Sequence, residues 1–396
     1  MKSYKVIAFL LLFALSITLA MPSPAFAASV SDSSNTSIFT TLVNFLVGDL
    51  FTKVLKVDLP GTSAQSPSTP PYPTAPKPDT SGQKEVLGFF AEWWATDTSS
   101  YNILKKHSNT IDTIAAFWGT LQSDGSITDR GGNDHAAVVQ YATANKVNTL
   151  LMVNNSKDHN SAHTVLSSPA LREKAITNIE AVIQKYGLAG VNIDFESLDP
   201  GDKNNLTIFM QELSSRLKPQ GYILSIDVMP KHNEEADFAM AYDYAKLAQF
   251  CDQIIIMTYD YHGPWSGPGS IADINSIEKD IRYALQFIPK NKLLLGVAGY
   301  GYDWSSKGVE SLEFGGIQNL ISKFGAKVEW DESAKSPHFT YTGPDGVVHQ
   351  VWYENAQSLQ YKLTLVNSYD LAGIALWKLG EEDPASWQVI QSAFKK

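Results

Sequence analysis

The sequence predicts an α/β protein, a (β/α)8 barrel of the TIM type with a small α+β insertion between its seventh and eighth strands. Helical patterns alternate with short apolar runs from residue 84 onward, and such alternation is typical of a parallel sheet. Eight runs have the length and composition of strands: 85–91, 111–117, 148–153, 188–196, 222–229, 253–259, 292–298 and 371–377. Eight units over 313 residues favour a closed barrel, and an open doubly wound sheet is the alternative.

The predicted helices carry recognisable start and stop signals. Ser168 and Pro169 form an N-cap followed by a proline at the first helical position, and Gly187 supplies the stop. A second helix repeats apolar residues on one face and ends before Pro219. The last helix is predicted to begin at Asp383–Pro384, again a capping residue with proline behind it.

The chain has more residues between the last two strands than a barrel needs. The segment 302–350 is rich in Gly, Trp and Thr, and 341–346 reads as a hairpin turn. We predict that this segment forms the α+β insertion on the rim of the barrel.

The N-terminus has the features of an export signal. Lys2 and Lys5 precede an apolar run over 6–20, and Ala25–Phe26–Ala27 resembles a cleavage site. A run this short does not span a bilayer comfortably. We therefore expect a signal peptide at 1–27, cleaved after Ala27, and a secreted protein.

Two further segments precede the barrel, which we place at 84–396. Within 28–59, apolar residues recur at helical spacing over 36–58 and predict one amphipathic helix. This helix either packs on the main domain or binds a surface or partner, which leaves cell-surface or spore association open. Residues 60–83 are dense in Pro, Ser and Thr and indicate an extended linker.

Charge and cysteine content narrow the function classes. Loss of the two signal lysines leaves 29 basic and 41 acidic residues, a net charge of −12, which argues against nucleic-acid binding. The single Cys251 excludes an intramolecular disulfide and suits a buried, inert thiol. His159 and His163 have an i, i+4 spacing but no apparent third ligand, so we predict no metal site. We expect a monomer.

An acidic stripe on the fourth predicted strand is the best functional clue. Side chains alternate along a strand, so Asn192, Asp194 and Glu196 share one face. Buried carboxylates are costly unless something uses them. Barrel active sites lie at the carboxyl ends of the strands, which places Glu196 at the mouth and Asp194 one step deeper.

Two other strand ends contribute to the same mouth. The sixth strand ends in Met257, Tyr259 and Asp260, and the eighth ends in Trp377. Carboxylic acid, carboxylate, phenol and indole together suggest glycoside chemistry, in which an acid must protonate the leaving oxygen and a charge must steady an electron-poor sugar.

These motifs resemble those of family 18 of the glycoside hydrolases, the chitinase family. Residues 190–196 look like its D-G-x-D-x-D-x-E signature, 257–260 match its strand-six motif, and Trp377 matches its strand-eight tryptophan. The stretches 259–265, 299–304 and 351–354 are similar to its bacterial branch of spore-cortex and peptidoglycan N-acetylglucosaminidases.

The resemblance implies roles for the matching residues. Glu196 would be the general acid and then the base. The substrate's own 2-acetamido oxygen would attack the sugar and give an oxazolinium intermediate. Asp194 would orient the acetamido group, and Tyr259 would hydrogen-bond to it. We assign substrate binding to a further set: Asn192, Met257, Asp260, Trp377, Trp94 and Trp304. No cofactor is implied.

Two positions depart from the signature, since Ala189 and Asn192 stand where it has aspartates. We expect Asn192 to donate a hydrogen bond to Asp194 without adding a second negative charge, and activity to survive. The predicted function is hydrolysis of β-linked N-acetylglucosamine glycan, either peptidoglycan or chitin. A non-catalytic or weakly active binding protein of the same fold is the alternative, and retention of Glu196 argues against it.

Overall fold

The computed structural model describes residues 84–394, apart from positions 95, 133, 157, 235 and 236. The expected signal peptide, the amphipathic helix at 36–58 and the linker at 60–83 lie outside the described residues.

The described residues form fourteen strands. In chain order they are β1 (Glu85–Phe90), β2 (Thr113–Leu121), β3 (Ile127–Asp129), β4 (Asn148–Asn154), β5 (Gly190–Asp194), β6 (Ile223–Val228), β7 (Gln253–Ile256), β8 (Leu293–Ala298), β9 (Tyr300–Ser305), β10 (Gly308–Glu313), β11 (Glu329–Asp331), β12 (Ser336–Thr342), β13 (Val348–Tyr353) and β14 (Gly373–Trp377).

Eight of these strands close into the predicted barrel. Their order is β1-β14-β8-β7-β6-β5-β4-β2, and β2 pairs back onto β1, so every pairing around the ring is parallel. The closed (β/α)8 architecture confirms the prediction, and an open doubly wound sheet is excluded by the pairing of β1 with both β14 and β2.

The helices that alternate with the barrel strands surround it. They are α1 (Ser99–His107), α2 (His135–Ala144), α3 (His159–Ser167), α4 (Pro169–Tyr186), α5 (Lys203–Leu217), α6 (Tyr244–Phe250), α7 (Ile274–Ala284), α8 (Phe314–Phe324), α9 (Ala356–Ser368) and α10 (Ser386–Phe394), of which α8 belongs to the insertion.

The helix signals read from the sequence were largely accurate. The Ser168 side chain accepts a hydrogen bond from the Leu171 N–H at the start of α4, and Gly187 ends that helix with a left-handed φ of 67°. The last helix is a correction, since α10 begins at Ser386 rather than at Asp383–Pro384. Asp383 instead accepts hydrogen bonds from the Ala356 and Ala385 N–H groups.

In the barrel, apolar side chains form two clusters, one inside the ring of strands and one between the strands and the helices. One cluster lies inside the strands: Leu87, Phe89, Ala115, Leu150, Met152, Ile255, Leu294 and Ala375. A larger cluster lies between the strands and the surrounding helices and includes the Cys251 side chain. Burial raises the pKa of the Cys251 thiol to about 12, in keeping with an inert thiol.

The insertion is larger than 302–350. Strands β9 to β13 form a second, antiparallel sheet in the order β10-β9-β13-β12-β11, which with α8 we call the rim sheet. It starts at Tyr300 and ends at Tyr353, so the insertion leaves β8 almost at once. The sequence reading also missed the short hairpin in which β3 pairs antiparallel with β2.

A buried ion pair ties the rim sheet to the barrel layer. Glu354 follows β13, and its carboxylate accepts hydrogen bonds from Ser336 of β12 (3.0 Å), from Ser358 of α9 (2.7 Å) and from the ammonium group of Lys362 of α9 (2.6 Å). Both charged side chains are almost fully buried. Breaking this ion pair is costly, because removal of one partner leaves the other charge buried without a counter-ion.

No helix in the described range is both long and apolar enough to cross a lipid bilayer.

Candidate active site

The carboxyl ends of three neighbouring strands, β5, β6 and β7, form what we call the acidic side of the barrel mouth. Asn192 and Asp194 lie on β5 and are buried. Glu196 does not lie on the predicted strand, because β5 ends at Asp194, and it follows in the loop at the mouth. Tyr259 likewise follows β7, which ends at Ile256 rather than at 259. The acid and the phenol therefore sit on loop segments just above the sheet.

The backbone of Glu196 is held from the neighbouring strand. The Asn155 side chain, just after β4, accepts a hydrogen bond from the Glu196 N–H (2.9 Å) and donates one to the Glu196 carbonyl (2.8 Å). Ser197, the next residue, has a φ of 55°, which a non-glycine residue adopts only when its surroundings enforce it. The loop that carries the acid is thus fixed at both backbone groups of Glu196.

A second support comes from Tyr242, which is fully buried. Its hydroxyl donates a hydrogen bond of 2.6 Å to the Phe195 carbonyl, one residue before the acid. Asn155 and Tyr242 together hold two consecutive peptide groups at 195–196. Sequence reasoning missed both residues: Asn155 follows the predicted strand 148–153, whereas Tyr242 lies far beyond the end of the predicted strand 222–229.

Asn192 is engaged with the next strand of the sheet. Its Nδ2 donates to Ser225 Oγ (3.2 Å) and to Asp227 Oδ1 (2.9 Å), both on β6. Asp227 is 1% exposed, and burial together with the charge of Glu196 raises its pKa to about 8. The strands of the acidic side therefore carry two buried carboxyl groups, Asp194 and Asp227, and sequence reasoning missed Asp227 because it stands alone between apolar residues of β6.

Tyr259 lies in the field of these carboxylates. Burial raises the pKa of its phenol well above the ordinary value, and the charges of four acidic residues raise it further: Asp227, Asp194, Asp260 and Glu196. Tyr259 is therefore a neutral hydroxyl that can donate a hydrogen bond across the physiological pH range.

Asp260, the next predicted residue, is positioned by the rim sheet. It has a φ of 60°, and its Oδ1 accepts a hydrogen bond of 2.5 Å from the hydroxyl of Tyr300, the first residue of β9. Met257 is buried at the end of the same strand segment. The position of Asp260 thus depends on both the barrel and the insertion.

The strands β14, β1 and β2 form what we call the aromatic side of the mouth. Trp377, at the end of β14, is only half-buried, and its ring centre lies 5.2 Å from Phe89 and 5.8 Å from Phe117. Trp93 lies 6.4 Å from Trp377 and is 44% exposed. The indole N–H of Trp93 points toward Glu381 (3.4 Å), and Lys378 lies over its ring.

The remaining tryptophans differ in exposure. Trp94 is 54% exposed and Trp265 is 64% exposed, so both present open ring surface. Trp304 is only 5% exposed, packs 5.6 Å from Tyr302, and its indole N–H donates to the Gly263 carbonyl (3.3 Å). The structure therefore places Trp304, a predicted substrate contact, in the packing of the rim rather than on an open surface.

His163, considered above as a metal ligand, faces a carboxylate instead. Its Nδ1 lies 2.9 Å from Asp202 Oδ1. Among the described residues, no group of three or more His, Cys, Asp or Glu side chains is arranged to hold a metal ion.

The chain matches a known family and its members in sequence and in fold. The family described as glycosyl hydrolases family 18 matches residues 85–382. The uncharacterized glycosylase YvbX of Bacillus subtilis is 30% identical over 327 residues, which cover 80% of this chain and 94% of that protein.

Solved structures agree with this assignment. The spore cortex-lytic enzyme SleL of Bacillus cereus superposes with a TM-score of 0.74 at 27% identity, over 79% of this chain and 75% of that one. A chitinase from Chromobacterium violaceum superposes with a TM-score of 0.73 at 29% identity, over 79% of this chain and 99% of that one. The chain therefore belongs to family 18 of the glycosyl hydrolases, and it is a glycosidase of that family.

Proposed function

We propose that this glycosidase cleaves β-linked N-acetylglucosamine glycan, in the peptidoglycan of cell wall or spore cortex or in chitin, with retention of configuration. One observation carries the proposal. Glu196, Asp194 and the neutral Tyr259 hydroxyl meet at the acidic side of the mouth, and the Glu196 backbone is clamped by Asn155.

In the first step, Glu196 protonates the glycosidic oxygen as the bond from this oxygen to C1 breaks. The carbonyl oxygen of the substrate's 2-acetamido group attacks C1 and closes an oxazolinium ring, so no enzyme carboxylate forms a covalent bond. The ring nitrogen gains positive charge in this step. A negative charge at Asp194 stabilises it, and the Tyr259 hydroxyl donates a hydrogen bond to the same acetamido group.

In the second step, Glu196 is the base. It removes a proton from water, the water oxygen bonds to C1, and the oxazolinium ring opens to restore the acetamido group. The two displacements at C1 leave the product with the configuration of the substrate. The aromatic side, with Trp377 as its centre, supplies a hydrophobic floor for the sugar ring.

The test compares purified cortex or cell-wall glycan with chitin oligomers as substrates for the wild type and for Glu196→Gln. We expect release of reducing ends by the wild type from at least one glycan, and a loss of about 10²- to 10⁴-fold in the variant, which cannot donate the proton. Substrates whose acetamido oxygen is replaced by sulfur should give the corresponding thiazolinium intermediate, and its detection distinguishes this route from attack by an enzyme carboxylate. Equal rates for wild type and variant would refute the assignment of Glu196.

Of the two candidate substrates we favour peptidoglycan. SleL of Bacillus cereus is a spore cortex-lytic enzyme by its name, and it resembles this chain over most of its length. The chitinase from Chromobacterium violaceum keeps chitin as the second candidate. Ratios of kcat/KM on the two glycans decide between them.

We also propose that the protein is exported, and that the segment 36–58 associates with the cell surface or spore. The support is the sequence pattern at 1–27 and the apolar face predicted for 36–58. N-terminal sequencing of the protein from the producing cells should then begin at Ala28. Deletion of 36–58 should release the enzyme from sedimented cells or spores without changing its rate on soluble oligomers.

A further inference from the structure

A buried acid that the proposed mechanism does not use lies next to the reacting groups. Asp227 is on β6, beside β5, where Asn192 and Ser225 face each other in register. Asn192 Nδ2 bridges Ser225 Oγ and Asp227 Oδ1, and all three side chains are fully or almost fully buried. These three side chains are closed off from solvent, so together they offer no surface on which a ligand from solution could bind.

Two oxygen atoms of this group are not satisfied by its hydrogen bonds. Asn192 Oδ1 and Asp227 Oδ2 have no hydrogen-bond partner among the described residues. A buried carboxylate with an unpartnered oxygen is unfavourable, and a proton on it removes the charge. The charged and titratable groups near Asp227 come from the β5 end, from the segment before α6 and from the β7 end: Glu196, Asp194, Tyr242 and Tyr259.

We propose that Asp227 is a positioning residue of the reaction centre, which holds a proton in the resting enzyme and thereby sets the orientation of the Asn192 amide beside Asp194. The proposal rests on the proposed function, since it concerns the same acids. Burial and the like charge of Glu196 both favour the protonated form, with a pKa of about 8.

Protonation changes which end of the Asn192 amide fits best. An ionised Asp227 accepts from Nδ2, whereas a protonated Asp227 can donate to Oδ1 if the amide turns over. The Ser225 hydroxyl both donates and accepts, so it suits either orientation. The turned amide satisfies the Asn192 oxygen that is otherwise unpartnered and directs its N–H groups away from β6. Asn192 and Asp194 are two residues apart on one strand, so the freed donors lie on the face that Asp194 shares.

The charge cycle of the enzyme supports the same assignment. Each turnover removes a proton from Glu196 and returns one. Negative charge on Glu196 strengthens the hold of Asp227 on its own proton, so Asp227 stays neutral while its neighbour changes charge. A second permanent charge at Asp227 would instead oppose the ionisation of both reacting carboxyl groups.

The first test uses the pH dependence of stability. An aspartate in the unfolded chain has a pKa of about 3.9. Between that value and about 8, the folded wild type holds a proton on Asp227 that the unfolded chain lacks, so this residue makes the fold progressively less stable as pH rises. Asp227→Asn removes this dependence. We expect the Tm of Asp227→Asn minus that of the wild type to increase from pH 5 to pH 8 and then level off.

A difference in Tm that stays constant over this range would mean that Asp227 is ionised in the fold, and would overturn the proposal. Asp280→Asn is the matched control. Asp280 is also buried with a raised pKa, and it accepts a hydrogen bond from the Tyr261 hydroxyl at 2.6 Å. The control should show a Tm difference that also increases with pH while kcat is unchanged.

The second test uses kcat at pH 6. Asp227→Asn keeps a neutral partner for Asn192 and should retain kcat within about 3-fold, whereas Asp227→Ala should lose roughly 10- to 100-fold in kcat with little change in KM. Equal kcat values for Asp227→Ala and the wild type would overturn the positioning role. If the alanine variant does not fold, Asp227→Ser replaces it. A wild type inactive on both glycans would refute the proposed function, and the Tm comparison would still decide the proton on Asp227.

Discussion

The two sides of the barrel mouth are built on opposite principles. On the acidic side, the strands bury two carboxyl groups, Asp194 and Asp227, together with the amide of Asn192, and hydrogen bonds from a neighbouring strand or loop hold Asn192 and the backbone of Glu196. On the aromatic side, rings on or after β14, β1 and β2 touch one another, and solvent reaches Trp93 and part of Trp377. In the ring of strands, β8 separates the two sides at one junction and β4 at the other.

This contrast shows that the two sides need different physical environments for their roles. Charges and hydrogen bonds act strongly only where water is excluded, so the acidic side depends on burial and on fixed backbone positions. Sugar rings bind through contact area, so the aromatic side needs exposed faces. Substitutions on the acidic side should therefore change kcat, and substitutions on the aromatic side should change KM.

Apart from Glu196→Gln, the largest effect should come from Asp194→Asn, which keeps the shape of the side chain but removes its charge. We expect kcat to fall about 100-fold, because the positive charge of the acetamido group is no longer stabilised. Steady-state kinetics on the better of the two glycans measures it. Asp202→Asn is the control, since Asp202 is also buried but pairs with His163 of α3. An unchanged kcat in Asp194→Asn would remove Asp194 from the mechanism.

A smaller effect should follow from Asn155→Ala, which removes both hydrogen bonds to the Glu196 backbone. We expect a loss of roughly 10-fold in kcat, because a displaced acid misses the leaving oxygen. Asn154→Ala is matched to it: Asn154 is the preceding residue, is also buried, and donates to the Gly119 carbonyl (2.8 Å) instead. Both variants should lower Tm, so an equal loss of kcat in both would reduce the Asn155 effect to general destabilisation.

On the aromatic side, Trp93→Ala should raise KM about 3- to 10-fold and leave kcat almost unchanged, because it removes stacking area next to Trp377. Phe287→Ala is the control, because it removes an exposed aromatic ring that does not lie at the mouth. Phe287 is 39% exposed in the loop that leads into β8, at the other end of the barrel. If Trp93→Ala changed only kcat, the assignment of KM effects to the aromatic side and kcat effects to the acidic side would be wrong.

The smallest effect is expected from Trp304→Phe. Its indole lies in the packing of the rim, so KM should stay within about 2-fold of the wild type. The lost hydrogen bond to the Gly263 carbonyl should cost about 1 kcal/mol of stability, visible as a small drop in Tm. A rise in KM as large as that of Trp93→Ala would return Trp304 to the substrate contacts.

The sequence was a good guide wherever one local pattern decides the outcome. Ser168 and Gly187 delimit α4 because capping is a property of a few adjacent residues. A candidate site at Asp194, Glu196 and Tyr259 could be predicted because strand ends in a barrel share one rim. Contacts between distant segments were out of reach. Nothing near Asn155 indicates that its side chain holds residue 196, and nothing near Asp227 indicates that Asn192 faces it.

Strand ends were the other weak point, and for a physical reason. The apolar alternation of 188–196 continues through Phe195, which is buried against Phe209, so the pattern gives no sign that pairing with β6 stops earlier. The turn is imposed by the Asn155 and Tyr242 hydrogen bonds, which are tertiary. Likewise, β9 follows β8 after one residue, and only the antiparallel pairing with β13 shows that the chain has left the barrel.

The buried pair of Glu354 and Lys362 has a consequence for how this fold can be rearranged. It joins the last strand of the insertion to a helix of the barrel, and Tyr300 at the other end of the insertion holds Asp260. An exchange of the rim sheet for that of a relative would leave Lys362 without its counter-ion and Asp260 without its donor. A working chimera should therefore exchange the rim sheet and α9 as one block, with its junctions inside β8 (Leu293–Ala298) and after Ser368, rather than the rim sheet alone.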